Sequence, residues 1–202
     1  MAKFDLESAY RNIPVHPSDR FLLGHKWKGQ FYVDLVLTFG LCSDPAIFNS
    51  VADALEWILK TRIQTEDLEH YLDDFFLAAF KRQDCFLYLL LAKHFCAELG
   101  VPLHPGKFEG PTTCLTVLGI ELDSVNQIAR LPQSKLASLK LLLNQWASKK
   151  WCTLKELQSL IGHLHHACKV LWSGRTFIRR MIDLLRCFRS PSHPIHRTKY
   201  VL

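Results

Sequence analysis

The 202-residue chain contains no run of about 18 uncharged apolar residues, so no membrane-spanning helix is expected. Its first residues lack the charged-then-apolar pattern of a secretory leader. Cys-x-x-Cys pairs are also missing: the seven cysteines stand at the irregular positions 42, 85, 96, 114, 152, 168 and 187. An odd, irregular set argues against a disulfide framework and for a reducing, intracellular setting, cytoplasm or nucleus, rather than secretion. No internal repeat is evident. Acidic residues become scarce late in the chain. Up to Ala129 there are 17 Asp+Glu against 11 Lys+Arg, and from Arg130 onward only 2 against 14. A balance of −6 followed by one of +12 suggests a cation-binding centre beside a surface for a polyanion.

What the sequence does contain is concentrated in Tyr71-Leu72-Asp73-Asp74. Two adjacent carboxylates sit between apolar runs, with Phe75, Phe76 and Leu77 following. Charges beside a core are costly unless they are paired or bound to a metal. A tight hairpin presenting both acids to divalent ions explains them, and points to phosphoryl-transfer chemistry. Asp5 is a third acid in a similar place, between Phe4 and Leu6 at the end of an apolar strand. Three acids on two adjacent strands can hold two Mg²⁺ ions, with Mn²⁺ as a substitute, about 4 Å apart.

The pattern along the chain predicts an α+β protein. Strands are expected at Ala2–Leu6, Phe21–Trp27 and Gln30–Leu37, the last two joined by a Lys28-Gly29 turn. Asp44 is read as the cap of a helix that starts at Pro45 and runs to about Lys60. The acidic hairpin covers Tyr71–Ala79. A helix over Gln83–Leu99 is stopped by Gly100. Strands follow at Val101–Leu103 and Leu115–Leu122, with a small hairpin turning at Ser124–Gln127. After Leu131 only helices are expected: Ser134–Ser148, a second opened by the capping box Thr153-Leu154-Lys155-Glu156 and running to about Leu171, and Arg175–Phe188. Trp146, Trp151 and Trp172 read as packing residues between these helices. His163, His165 and His166, with Cys152 and Cys168 nearby, read as ordinary core or surface residues, because no zinc-ligand spacing completes a site.

The motifs together resemble a reverse transcriptase. Phe4-Asp5-Leu6-Glu7-Ser8-Ala9-Tyr10 is similar to the family's first palm motif, and Thr38-Phe39-Gly40-Leu41-Cys42-Ser43-Asp44-Pro45 to its second. Tyr71-Leu72-Asp73-Asp74 is similar to the third, Leu99-Gly100-Val101 through Lys107 to the fourth, and Leu118-Gly119-Ile120 to the fifth. Leu131-Pro132, the stretch from Cys152 to Gly162, and Ala167-Cys168-Lys169-Val170 resemble the tyrosine-recombinase retroelements of the DIRS and Ngaro type.

The resemblance implies a polymerase palm over 1–125, a small antiparallel sheet packed on helices. An all-α thumb or connection-like region over 126–189 and a flexible tail over 190–202 would follow. It also implies roles. Asp5, Asp73 and Asp74 would bind the metals, helped by the Leu6 carbonyl. Lys107 would protonate the leaving pyrophosphate. Tyr10, Phe39 and Gly40 would contact the incoming deoxynucleoside triphosphate, and Tyr71, Leu118, Gly119 and Ile120 the primer. Lys149, Lys150, Lys155, Lys169, Arg175, Arg179, Arg180 and Arg186 would meet the phosphates of a template–primer duplex. No membrane and no protein partner are implied. The chain departs from the family pattern at Thr38 and Asp44, where a proline and a small residue are usual. A fingers region is expected to be missing, as are RNase H and recombinase regions, and the chain alone is expected not to polymerise. Two alternatives stand beside the enzyme: a non-catalytic product that binds nucleic acid through its basic helices, and a piece of a longer polyprotein with RNase H.

Overall fold

The computed structural model describes residues 1–188 together with 195 and 196, so the expected tail lies almost wholly outside the described residues. The chain divides into two units, Met1–Leu115 and Thr116–Leu202. The boundary expected from charge and pattern lies near 125–133.

The first unit opens with strand β1 (Ala2–Asp5), followed by a 3-10 turn at Ala9–Asn12. Pro17–Leu23 is a second 3-10 segment, seeded by Pro17 and by the Ser18 N–H donating to His16 Nδ1. The next strand therefore starts at Gly24 rather than Phe21. β2 (Gly24–Trp27) and β3 (Gln30–Val33) form the expected hairpin, and Lys28 and Gly29 both adopt positive φ (48° and 83°), as a tight hairpin turn requires. Helix α1 (Asp44–Ile63) starts as the Pro45 signal predicts, but its N-cap is Ser43. Asp44 is buried, and its carboxylate accepts the Thr38 N–H at 3.1 Å. The acid thus ties down the preceding loop instead of capping the helix. β4 (Leu68–Tyr71) and β5 (Asp74–Leu77) form the acidic hairpin, and helix α2 (Arg82–Glu98) is closed by Leu99 as its C-cap with Gly100 just beyond at φ 71°. Val101–Leu103 is not a strand. Pro102 lacks a donor for a ladder, and only Leu103 bridges, to Leu6.

The sheet has the order β1-β5-β4 and is antiparallel throughout, with Phe4 opposite Phe75 and Asp5 opposite Asp74. Alternation sends Phe4, Phe75 and Leu77 to one face. There they meet Phe48, Ala52, Leu55 and Leu59 of α1 and Cys85, Leu89, Ala92 and Cys96 of α2. Each fully buried large side chain contributes about 1.5–3 kcal/mol. One core thus fixes both acid-bearing strands.

Strand β6 (Cys114–Val117) spans the boundary, and β7 (Ile120–Asp123) and β8 (Ile128–Arg130) of the second unit follow it in a sheet of the order β6-β7-β8. The single strand expected over Leu115–Leu122 is broken at Leu118-Gly119, both at positive φ (48° and 75°). Helix α3 (Gln133–Ser148) follows Pro132. A two-residue strand β9 (Trp151–Cys152) then leads into helix α4 (Leu154–Ala167), whose Thr153/Glu156 capping box is complete. The helix ends at Ala167, before the expected Leu171, because tighter bonds from Lys169 and Val170 to His166 and Ala167 take over. Helix α5 (Arg175–Leu184) follows. The expectation of helices alone after Leu131 is corrected by a short ladder: β10 (Ile195–His196) pairs with β9, whose backbone is extended ahead of the Thr153 cap. Trp146 packs against the cluster of Cys152, Leu157 and Leu184. Trp151 and Trp172 do not pack as expected; they are 54% and 69% exposed. Among the described residues no helix is long and apolar enough to cross a membrane.

The capping box has a measurable consequence. Thr153→Ala should lower the stability of the helical unit by about 1 kcal/mol, read as a shift of the urea midpoint. Thr153→Ser should restore most of it.

Candidate active site

Asp5 is the last residue of β1 and only 5% exposed. Its backbone is held on two sides. The His104 N–H donates to its carbonyl at 2.9 Å, and the next residue, Leu6, donates to the Asp73 carbonyl at 3.1 Å. Across the ladder stands Asp74, paired in turn with Tyr71. Leu72 and Asp73 make the two-residue connection. Leu72 takes the left-handed region at φ 54°, which costs a non-glycine residue about 1–2 kcal/mol. Its side chain packs on the core, which holds the turn in place.

Like charges directly opposite each other in a sheet repel. Asp74 is exposed, yet desolvation by its surroundings, then the charges of Asp5 and Asp73, push its carboxyl above its ordinary value. One cation answers this charge. Lys107 Nζ lies 2.6 Å from Asp5 Oδ2, and this hydrogen bond, reinforced by the three carboxylates' charge, raises the lysine's pKa further. Among the described residues, no three His, Cys, Asp or Glu side chains converge closely enough to hold a metal ion. In kind, however, the donors fit magnesium: hard, anionic oxygens from Asp5, Asp73 and Asp74, two of them opposed across one ladder.

Beside this hairpin Tyr10 packs between Phe48 and Phe39, with ring centroids 5.0 and 5.1 Å away. Phe39 is 77% exposed and Gly40 adopts φ 113°, a conformation that favours glycine. The structure therefore pairs Lys107 with Asp5, sets Asp74 across the ladder from Asp5, ties the Leu6 N–H to the Asp73 carbonyl, and packs Tyr10 on Phe39. Tyr71 is exposed at the edge of the hairpin.

Sequence reasoning missed the brace behind the hairpin. Glu56 Oε2 on α1 accepts both the His70 N–H, at 3.1 Å, and the His70 ring Nδ1, at 2.5 Å. Glu56 also pairs with Lys60, which reaches Glu69. His70 stacks on Phe75, so the brace fixes the strand that leads into the acidic turn. His70 adjoins the motif, but nothing local marks Glu56, fourteen residues earlier. Burial tends to raise the Glu56 carboxyl, yet hydrogen bonds from Lys60 and His70 outweigh it and hold the group below its ordinary 4.5. A depressed carboxyl contributes stability above its unfolded pKa and loses it as pH falls through the folded value. Wild type should therefore exceed Glu56→Gln in Tm at neutral pH, and the gap should narrow below about pH 4.5.

The remaining candidates lie on the second unit. Leu118 and Gly119 form the β6–β7 turn, and Ile120 is buried at the start of β7. His166 contacts the Leu118 carbonyl at 3.3 Å, and a Cβ on Gly119 would stand 2.0 Å from Lys135 Nζ. Of the basic residues, Lys149 is engaged with Glu156 and lies over Trp146, while Arg179 pairs with Asp183 at 3.6 Å. Arg175 lies over Trp172, 4.4 Å from the ring centroid. Lys150, Lys155, Lys169, Arg180 and Arg186 are exposed and have no acidic partner among the described residues.

Residues 1–122 match the family model described as reverse transcriptase (RNA-dependent DNA polymerase). No curated protein matches the chain in sequence. Among solved structures, foamy viral protease-reverse transcriptase bound to dsDNA is similar at TM-score 0.74, with 18% identity over 99% of this chain and 40% of that one. The same viral protein with an RNA/DNA hybrid gives TM-score 0.73 and 17% identity over 99% of this chain and 26% of that one. A dRH form with dsDNA gives 0.72 and 20% over 94% and 31%. The mixed α/β fold, small antiparallel sheets with helices, is thus that of reverse transcriptase polymerase domains, and the chain spans well under half the length of these solved chains.

Proposed function

Since the chain belongs to the reverse transcriptase family, we propose that it carries the palm and thumb of a retroelement polymerase, which adds deoxynucleotides to a primer 3′-hydroxyl on an RNA or DNA template. The observation that carries this reading is the Asp5–Asp74 pair across the β1–β5 ladder, with Asp73 at the adjoining turn and Lys107 on Asp5. Asp5, Asp73 and Asp74, with the Leu6 carbonyl, would hold two magnesium ions, or manganese in their place. Such ions lower the pKa of an attacking hydroxyl and neutralise triphosphate charge when bound.

The chain's own groups supply the rest. The Tyr10 ring, backed by Phe48, would lie beneath the incoming sugar and exclude a 2′-hydroxyl. Phe39 and Gly40 would support the base and triphosphate. Lys107 is held protonated by its carboxylate neighbours and would offer its proton to the pyrophosphate. Tyr71, Leu118, Gly119 and Ile120 would contact the primer. The exposed cations of the second unit would contact duplex phosphates, which fixes position without reading sequence. The DIRS/Ngaro-type lineage remains our reading of the Leu131-Pro132, Cys152–Gly162 and Ala167–Val170 stretches.

A second reading, binding without chemistry, is favoured by the exposed cations Lys150, Lys155, Lys169, Arg180 and Arg186, which can meet phosphates without any reaction. Primer extension with Mg²⁺ and deoxynucleoside triphosphates separates the two. Extension that disappears in Asp73→Asn/Asp74→Asn supports the polymerase. No extension, with duplex binding that weakens as salt rises, supports the binding protein.

A further inference from the structure

We infer that Lys107 is a built-in counter-ion of the acidic hairpin, which divalent ions must displace from Asp5 in order to bind. This rests on the reading of Asp5, Asp73 and Asp74 as ion ligands. A carboxylate as buried as Asp5 needs a partner, and its partner is the Lys107 ammonium, 2.6 Å from Oδ2. A magnesium ion sits about 2.1 Å from a ligating oxygen. An ion on that carboxylate would compete with the ammonium for its lone pairs and would be repelled by a charge of the same sign.

The loop is built so that the lysine can leave while its base stays fixed. His104 donates its N–H to the Asp5 carbonyl at 2.9 Å, and Lys3 and Glu109 exchange backbone bonds of 2.9 and 3.1 Å. Between these ties the chain turns tightly, Lys107 donating to the His104 carbonyl and Gly106 to His104 Nδ1. The Lys107 side chain itself is 52% exposed, so it enters Asp5 from the solvent side rather than from the core. Its one positive charge faces three carboxylates. The hairpin stays net acidic while Lys107 is in place, which favours the incoming ion in the exchange. The order of events follows. Lys107 reaches a nucleotide phosphate only after an ion has taken its place on Asp5.

The test is Mn²⁺ binding to the full chain, followed by the paramagnetic signal of free Mn²⁺, together with Tm in EDTA and in saturating Mn²⁺. Lys107→Gln should bind Mn²⁺ about 5-fold or more tightly than wild type, a typical coupling between sites. It should have a lower Tm in EDTA, and saturating Mn²⁺ should close that gap. Lys107→Arg keeps the charge and can grip the carboxylate with two donors, so it should match or fall below wild type in Mn²⁺ affinity while keeping its Tm. Unchanged or weaker binding by Lys107→Gln, or a Tm gap that persists in saturating Mn²⁺, would overturn the counter-ion role while the ion-ligand reading stands. Equal Mn²⁺ binding by wild type and Asp5→Asn would overturn both, since Asp5 would then not be a ligand.

Discussion

Asp74→Asn is expected to abolish any Mg²⁺-dependent primer extension and, in EDTA at neutral pH, to raise the melting temperature. The two effects have one cause. Asp74 ionises against desolvation by its surroundings and against the charges of Asp5 and Asp73, so its carboxyl lies above the ordinary 3.8. A group whose folded pKa is raised costs stability while it is ionised, and the cost is relieved as pH falls through the folded value. Asparagine removes the charge and keeps the shape. The gain in Tm should therefore be largest at neutral pH and shrink as the solution becomes acidic. Extension should fall by a factor of 100 or more, as roughly happens when a group that stabilises developing charge is removed. A variant that is more stable and inactive is the signature of an acid kept for chemistry. Lower stability together with lost extension would mark Asp74 as structural. Unchanged extension would remove it from the reaction.

The second large effect is at Phe75. This ring is fully buried, stacks on Phe4 at 5.0 Å and on His70 at 5.3 Å, and directly follows Asp74. Phe75→Ala should cost about 3–5 kcal/mol, because the transfer free energy of the ring and a cavity are both charged to the folded state. Whole domains are stable by only about 5–15 kcal/mol, so the first unit should be left marginal. In urea its midpoint should move down by roughly 2 M, at the slopes usual for small domains. Phe76, the next residue, is only partly buried. Phe76→Ala should cost less than half as much. Similar losses at the two positions would mean that the hairpin does not alternate faces as described. Because Phe75 also supports His70 and its brace on Glu56, Mn²⁺ affinity should fall in Phe75→Ala even where the fold survives.

Much of the local structure was legible in the chain because short-range rules govern it. Pro45 marked the start of α1, Lys28-Gly29 marked a tight turn, and Thr153 with Glu156 marked the start of α4; each rule acts within one turn of backbone. The failures were local rules overridden by context. Asp44 has the side chain of a helix cap, but burial turned it toward Thr38 instead. Leu118 is a poor residue for positive φ, so its strand read as continuous until the turn with Gly119 appeared. Trp151 and Trp172 read as packing residues between helices, and they are exposed.

The three acids, the aromatic at Tyr10 and the basic later part follow from the sequence itself, because residue type and immediate neighbours decide which groups can ionise beside apolar strands. Which groups meet was decided only in three dimensions. Asp5 faces Asp74 because Phe4 and Phe75 must share one buried face, and that fixes the register. Lys107 reaches Asp5 across 102 residues because its loop is tied to β1 at His104 and Glu109. Glu56 reaches His70 because α1 packs against that sheet. Composition can supply charges of both signs, but only packing determines which of them come within 3 Å and so which carboxylate is left to attract an ion.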